Sequence, residues 1–157
     1  MSETDLRALI VAEARTWKGT PYQSQAYPRK GLGCDCATLI AGVAMATGLV
    51  APDSPIDYYS PDRHLHRSDE EYRRRLAALG FAEIQPAAAQ PGDVILFVMG
   101  DRQPASHSAI VTETDGRPSR MLHAYRTVGR VVENRIDPTW WARARFAFRF
   151  PGVSHVG

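Results

Sequence analysis

The order of hydrophobic periodicities predicts an α+β fold in which N-terminal helices pack on an antiparallel β-sheet. Helical spacing dominates the first half of the chain, short β-rich apolar runs fill the second, and brief turns such as Asp115-Gly116-Arg117-Pro118 and 127–129 link the later runs. Helices first and strands afterwards is the order of an α+β domain, and strands joined by short turns form an antiparallel meander.

Each element has a local reason. Leu6, Leu9, Ile10, Ala14 and Trp17 recur at helical spacing, with Ser2 and Asp5 in capping-box positions and Gly19 as the stop. Residues 20–32 hold Pro21, Tyr22, Tyr27, Pro28 and Gly31 without periodicity, which predicts a loop wrapping toward the next segment. That segment is Gly33 to Gly48, G-C-D-C-A-T-L-I-A-G-V-A-M-A-T-G. It reads as a buried helix with Asp35 as N-cap, Cys36 as first helical residue and Gly48 as αL stop. Pro52, Pro55 and Pro61 forbid a long helix or central strand over 50–67, so a surface crossing is expected there. Ser68 and Glu71 predict a capping box for a third helix at 69–79, with Tyr72, Leu76 and Leu79 on one face. Strands are expected at 93–99, 108–114, 120–125, 128–135 and 145–150. The last reads as half-solvated, because Arg143, Arg145 and Arg149 alternate with Ala144, Phe146, Phe148 and Phe150.

Composition narrows the chemistry. The chain has 157 residues, 44% of them hydrophobic, and no run of 18 apolar residues, so one monomeric domain spanning 1–157 without membrane insertion is expected. Glu3 and Asp5 stand where a secretory signal would need a basic region and then a long apolar core, so synthesis in the cytoplasm without a signal peptide is expected. Cys34 and Cys36, separated by Asp35 alone, form no unstrained disulfide and are too few for structural zinc. Net charge is +2, with arginines dispersed among acids, so the surface reads as solvated and no nucleic-acid partner is expected.

A thiol on the first turn of a helix faces unpaired N–H groups and the positive end of the macrodipole, which favours thiolate. Cys36 is therefore the candidate nucleophile. His107, in A-S-H-S-A-I-V, begins one strand, and His123, in M-L-H-A-Y, lies near the end of the next. His107 stands farther than His123 from the turn at Gly116 and Arg117, so a bulge or uneven loop is needed to bring the two imidazoles level. Together these residues make a complete set for acyl transfer: thiol, imidazole base, imidazole orienter, and an oxyanion site from the Cys36 N–H and the Tyr22 hydroxyl. His64 and His66, with Asp62, are an isolated H-x-H pair and read as surface histidines, so neither a metal nor another cofactor is expected. Trp140 and Trp141, after Pro138, read as staples at the end of the sheet rather than as a sugar-stacking platform.

G-T-P-Y at 19–22, D-C-A-T-L-I at 35–40, P-G-D-V-I-L-F at 91–97, H-S-A-I-V at 107–111 and L-H-A at 122–124 together resemble the NlpC-type cysteine peptidases. This is a papain-like family that cuts peptidoglycan stem peptides, and the likeness runs from about Trp17 to Phe150. It implies Cys36 as nucleophile, His107 as base, His123 as third catalytic residue and Tyr22 as oxyanion or substrate contact. Asp35, Ala37 and Thr38 flank the nucleophile in the substrate-binding position, Ala37 and Thr38 replacing the Ser-Gly usual in the family. Cys34 has no family role. C-D-C-A-T-L-I together with P-D-R-H-L-H-R-S further resembles the phage-tail and prophage subset. The expected activity is thioester-mediated hydrolysis of a γ-D-glutamyl to diamino-acid amide by a virion tail component, with tail-tip or hub proteins as partners. A structural plug on the same fold, an amidase or acyltransferase, and a delivered effector are the alternatives.

Overall fold

The computed structural model describes residues 1–24, 27–52 and 70–153. Helix α1 (Glu3–Arg15) starts at a reciprocal capping box between Ser2 and Asp5, and α2 (Cys36–Ala46) starts at another between Asp35 and Thr38. Gly48 has φ +74, the left-handed stop expected of it. Helix α3 (Glu71–Ala78) follows. The strands are β1 (Ala82–Ile84), β2 (Val94–Phe97), β3 (His107–Thr114), β4 (Pro118–Tyr125), β5 (Arg130–Arg135) and β6 (Ala144–Arg149). A 3-10 turn at Pro86–Ala88 and a short helix α4 (Pro138–Trp141) interrupt them. The six-stranded sheet has the order β1-β6-β2-β3-β4-β5, every pair antiparallel, so β2 to β5 form the expected meander and β6 returns beside β2.

Both faces of the sheet are covered. Ile10, Ala14 and Trp17 with Leu39, Ile40 and Val43 pack on Val94, Leu96, Ile110, Leu122 and Phe148. Alternate residues on the other face, Ile95, Phe97, Ala109, Val111, Met121 and Ala147, meet Ile136, Trp140 and Trp141. Gly42 lets α2 lie close under the chain leaving α1, since a Cβ there would stand 2.6 Å from the Trp17 ring.

Several expectations change. The third helix begins at Glu71 with Glu70 as N-cap and no side-chain cap bond, Ser68 lies outside the described residues, and Leu79 is exposed. Strand β6 is not half-solvated throughout: Ala147, Phe148 and Arg149 are all buried, because α4 and the 3-10 turn cover the second face. Arg149 belongs to a buried Arg–Asp–Arg triad. Asp93 accepts from Arg7 Nη1 at 2.9 Å and Arg149 Nε at 3.4 Å, and its second oxygen also accepts the Gln90 N–H at 2.8 Å. Burial pushes the Asp93 carboxyl up, opposed by the Gln90 N–H and the two arginines. Asp93→Ala would leave Arg149 without a carboxylate and Arg7 with Glu3 alone, at a cost of about 3 kcal/mol in urea unfolding. A loss below about 1 kcal/mol would show that water replaces the carboxylate.

Candidate active site

Cys36 heads α2 at the start of β3. Its thiol donates to the Ser106 carbonyl at 3.6 Å, and its own carbonyl accepts the Ser108 hydroxyl at 2.9 Å. Ser108 Oγ also lies 2.6 Å from the Tyr72 hydroxyl, which ties α3 to the same point. The two cross-strand contacts of Cys36 thus bracket His107, the residue between Ser106 and Ser108.

His107 and His123 meet, although not level. Ile110 pairs with Leu122, and continuing that register places His107 opposite Tyr125 and His123 opposite Ala109. The two register shifts near the turn, between Val111 and Glu113 and between Glu113 and Thr114, cancel. The imidazoles therefore bridge diagonally on one face, with His107 Nε2 2.7 Å from His123 Nδ1.

Asn134 fixes the proton positions. Its Nδ2 donates to the Arg135 carbonyl at 2.9 Å, which leaves Oδ1 facing His123 Nε2 at 2.6 Å. An amide oxygen only accepts, so His123 carries its proton on Nε2 and its Nδ1 accepts from His107 Nε2–H. In the neutral ring, His107 Nδ1 is then the basic nitrogen. Three rings surround this relay or stack on it: Trp140 stands 5.4 Å from His107 and 5.3 Å from His123, Tyr125 stacks on His123 at 5.2 Å, and Phe97 lies against both His107 and Trp140. Trp140 does more than staple the sheet. Asp137 caps α4 by accepting the Trp140 N–H at 2.8 Å, and this turn aims the indole at the histidines.

The electrostatics correct the expected thiolate. Burial, and then the Asp35 carboxylate, push the Cys36 thiol up to about 12, against hydrogen bonds from Ser108 and Ala37. Burial, and then His123, hold His107 well below 6.5, and burial lowers His123 to about 4 against the pull of Asn134. Desolvation and the N-cap's own charge oppose the macrodipole and favour the neutral thiol, while burial favours the neutral imidazole. A base held down in this way stays unprotonated below pH 6.5, so the acid limb of kcat/KM should fall below that value; a midpoint above 6.5 in a pH–rate profile would overturn the assignment.

Tyr22 sits beside this centre. Its N–H donates to the Gly129 carbonyl at 2.9 Å and it bridges Cys34, so the loop wraps against α2's entry as expected. Burial, and then the neighbouring Cys36, raise its phenol to about 12, which keeps it a donor. Cys34 is fully buried in the main core, and burial raises it also to about 12. Asp35 and Thr38 are buried and face each other across the helix cap, Asp35 Oδ1 accepting the Thr38 N–H and Thr38 Oγ1 accepting the Asp35 N–H, both at 2.8 Å. Ala37 is partly exposed. Among the described residues no three His, Cys, Asp or Glu side chains gather as a cation site, and Asp62, His64 and His66 lie outside them.

The NlpC/P60 family profile matches residues 19–149. The chain belongs to the NlpC/P60 family. It is 27% identical to the tail tip assembly protein K of Escherichia phage lambda, over 98% of this chain and 80% of that protein. The NlpC/P60 domain of the peptidoglycan hydrolase SagA superposes with a TM-score of 0.60 at 22% identity, covering 92% of this chain and 98% of that one. The peptidoglycan hydrolase RipB from Mycobacterium tuberculosis gives 0.59 at 18% identity, covering 94% and 65%. These two likenesses establish the NlpC/P60 fold, in agreement with the α+β expectation. The sequence names neither Asn134 nor Tyr125 and gives Trp140 only as a staple of the sheet: alternation in β5 gives Asn134 its face but not its register against His123.

Proposed function

We propose that this NlpC/P60 domain is a cysteine peptidase that hydrolyses amide bonds of peptidoglycan stem peptides, at a γ-D-glutamyl to diamino-acid linkage, as part of a phage tail. The observation that carries the proposal is the chain His107–His123–Asn134, with the Cys36 thiol on the carbonyl of Ser106, the residue before His107. Cys36 Sγ attacks the scissile carbonyl carbon while His107 Nδ1 accepts its proton. The carbonyl oxygen gains charge facing the Cys36 N–H and the Tyr22 hydroxyl. His107 then passes the proton to the departing amine, leaving an acyl thioester, and activates a water that returns Cys36 as thiol. Family membership supports the substrate class, and the likeness to the lambda tail tip assembly protein supports the tail assignment. Among the described residues no helix is long and apolar enough to cross a membrane.

Digestion of purified muropeptides, with the new termini identified by mass spectrometry, tests this directly. A new amino terminus on the diamino acid is expected, undiminished by EDTA because the nucleophile is made by an imidazole. Release of the peptide from muramic acid would make the chain an amidase, and intact muropeptides would favour a structural plug.

A further inference from the structure

Resting on the hydrolase reading above, we propose that a cleft lined by Arg102, Arg143 and Arg145 beside the histidine cluster is a subsite for a free carboxylate of the peptide substrate. The cleft holds about 570 Å³, between the loop after β2 (98–103) and the turn joining α4 to β6 (142–145). Its walls are tied together, since the Val98 N–H donates to the Arg143 carbonyl at 2.9 Å and the Ser106 N–H closes the loop onto Phe97 at 3.0 Å.

Charge is what sets this cleft apart. Arg7, Arg15, Arg73, Arg75, Arg120 and Arg149 each meet a carboxylate. Among the described residues, Arg102, Arg143 and Arg145 meet none, as is also true of Arg29, Arg117, Arg126, Arg130 and Arg135; what distinguishes these three is that they line one cleft, in which Asp101 is the one acid. Two of the three are nevertheless held in place. Arg145 Nη1 donates to the Ala142 and Ala144 carbonyls, both at 3.1 Å, and the Arg143 guanidinium lies 5.7 Å over the Trp140 ring. Those contacts position the cations without neutralising them, and a concave wall of fixed guanidinium donors suits a carboxylate.

The place fits the chemistry. Trp140 separates Arg143 from His107 by a single ring, 5.4 Å from the base, and the loop bearing Arg102 runs directly into Ser106 and His107. A γ-linked glutamyl residue keeps its α-carboxyl free next to the scissile amide, and the diamino acid contributes another. The Cys36 thiol meets the Ser106 carbonyl, at the end of the loop that carries Arg102.

The test uses the full chain and two synthetic stem peptides that differ only in bearing free carboxylates or carboxamides. Wild type should show the lower KM for the free acid. In the Arg102→Gln/Arg145→Gln double variant, KM for the acid should rise about five- to tenfold with kcat unchanged, the scale of two partly exposed charge contacts, while KM for the carboxamide stays put. Arg117→Gln, which removes one charge from the turn between β3 and β4, where the guanidinium lies over the Trp141 ring and outside the cleft lining, should move neither. An equal rise on both peptides, no rise on either, or the same rise from Arg117→Gln, would overturn the subsite while leaving the hydrolase reading intact. If wild type cleaves neither peptide, the hydrolase reading fails instead, and calorimetry with the same peptides decides the cleft: binding selective for the acid and lost in the double variant supports it, equal binding overturns it.

Discussion

Cys36→Ala should leave a folded protein whose turnover falls by on the order of 10⁴-fold or more, because in the proposed mechanism nothing else in the centre forms the acyl intermediate. The fold should survive, since Cys36 is partly exposed and the α2 cap is made by Asp35 and Thr38. Cys34→Ala should keep most of the activity and show its effect in stability, because Cys34 is a fully buried core residue. Iodoacetamide should mark Cys36 before Cys34. Both thiols are pushed up to about 12, so access decides the order, and alkylation of Cys36 at neutral pH should be slower than that of a free thiol. Faster alkylation at Cys34 would place the nucleophile elsewhere.

His107→Gln should remove nearly all turnover, on the order of the 10²- to 10⁴-fold that a positioned acid–base group contributes. An amide in that place neither accepts nor returns the proton. In the proposed mechanism His123 acts through His107, so His123→Asn or His123→Gln, which keep an acceptor for His107 Nε2–H, should retain clearly more activity than His123→Ala. Asn134→Leu extends the comparison. It removes the acceptor that keeps the His123 proton on Nε2, so kcat should fall while KM changes little, and the acid limb of the pH profile should move. Equal losses in all three His123 variants would show that His123 does more than orient, and a fully active His107→Gln would remove the base from the mechanism.

The two helix caps, the left-handed stop at Gly48 and the meander were legible because each is a local signal: a polar side chain three residues from its partner, a glycine after a helix, or alternation bounded by a turn. The family motifs placed Cys36, His107, His123 and Tyr22 in one neighbourhood of the fold. Burial was not legible. The position of Cys36 on the first turn pointed to a thiolate, whereas desolvation and the Asp35 charge act through packing that only the assembled chain creates. Asn134, and the place of Trp140 beside the histidines, were hidden for a related reason, since register and the aim of a four-residue helix depend on contacts far along the chain. Arg149 looked solvated because alternation reports a face and not what covers it.

Acid-quench mass spectrometry of the protein during turnover on a defined stem peptide tests the central claim most directly. The chain should carry the mass of the acyl fragment as a thioester on the peptide containing Cys36, sensitive to hydroxylamine and missing from Cys36→Ala. Continued cleavage by Cys36→Ala, or an acyl adduct at any other residue, would contradict it.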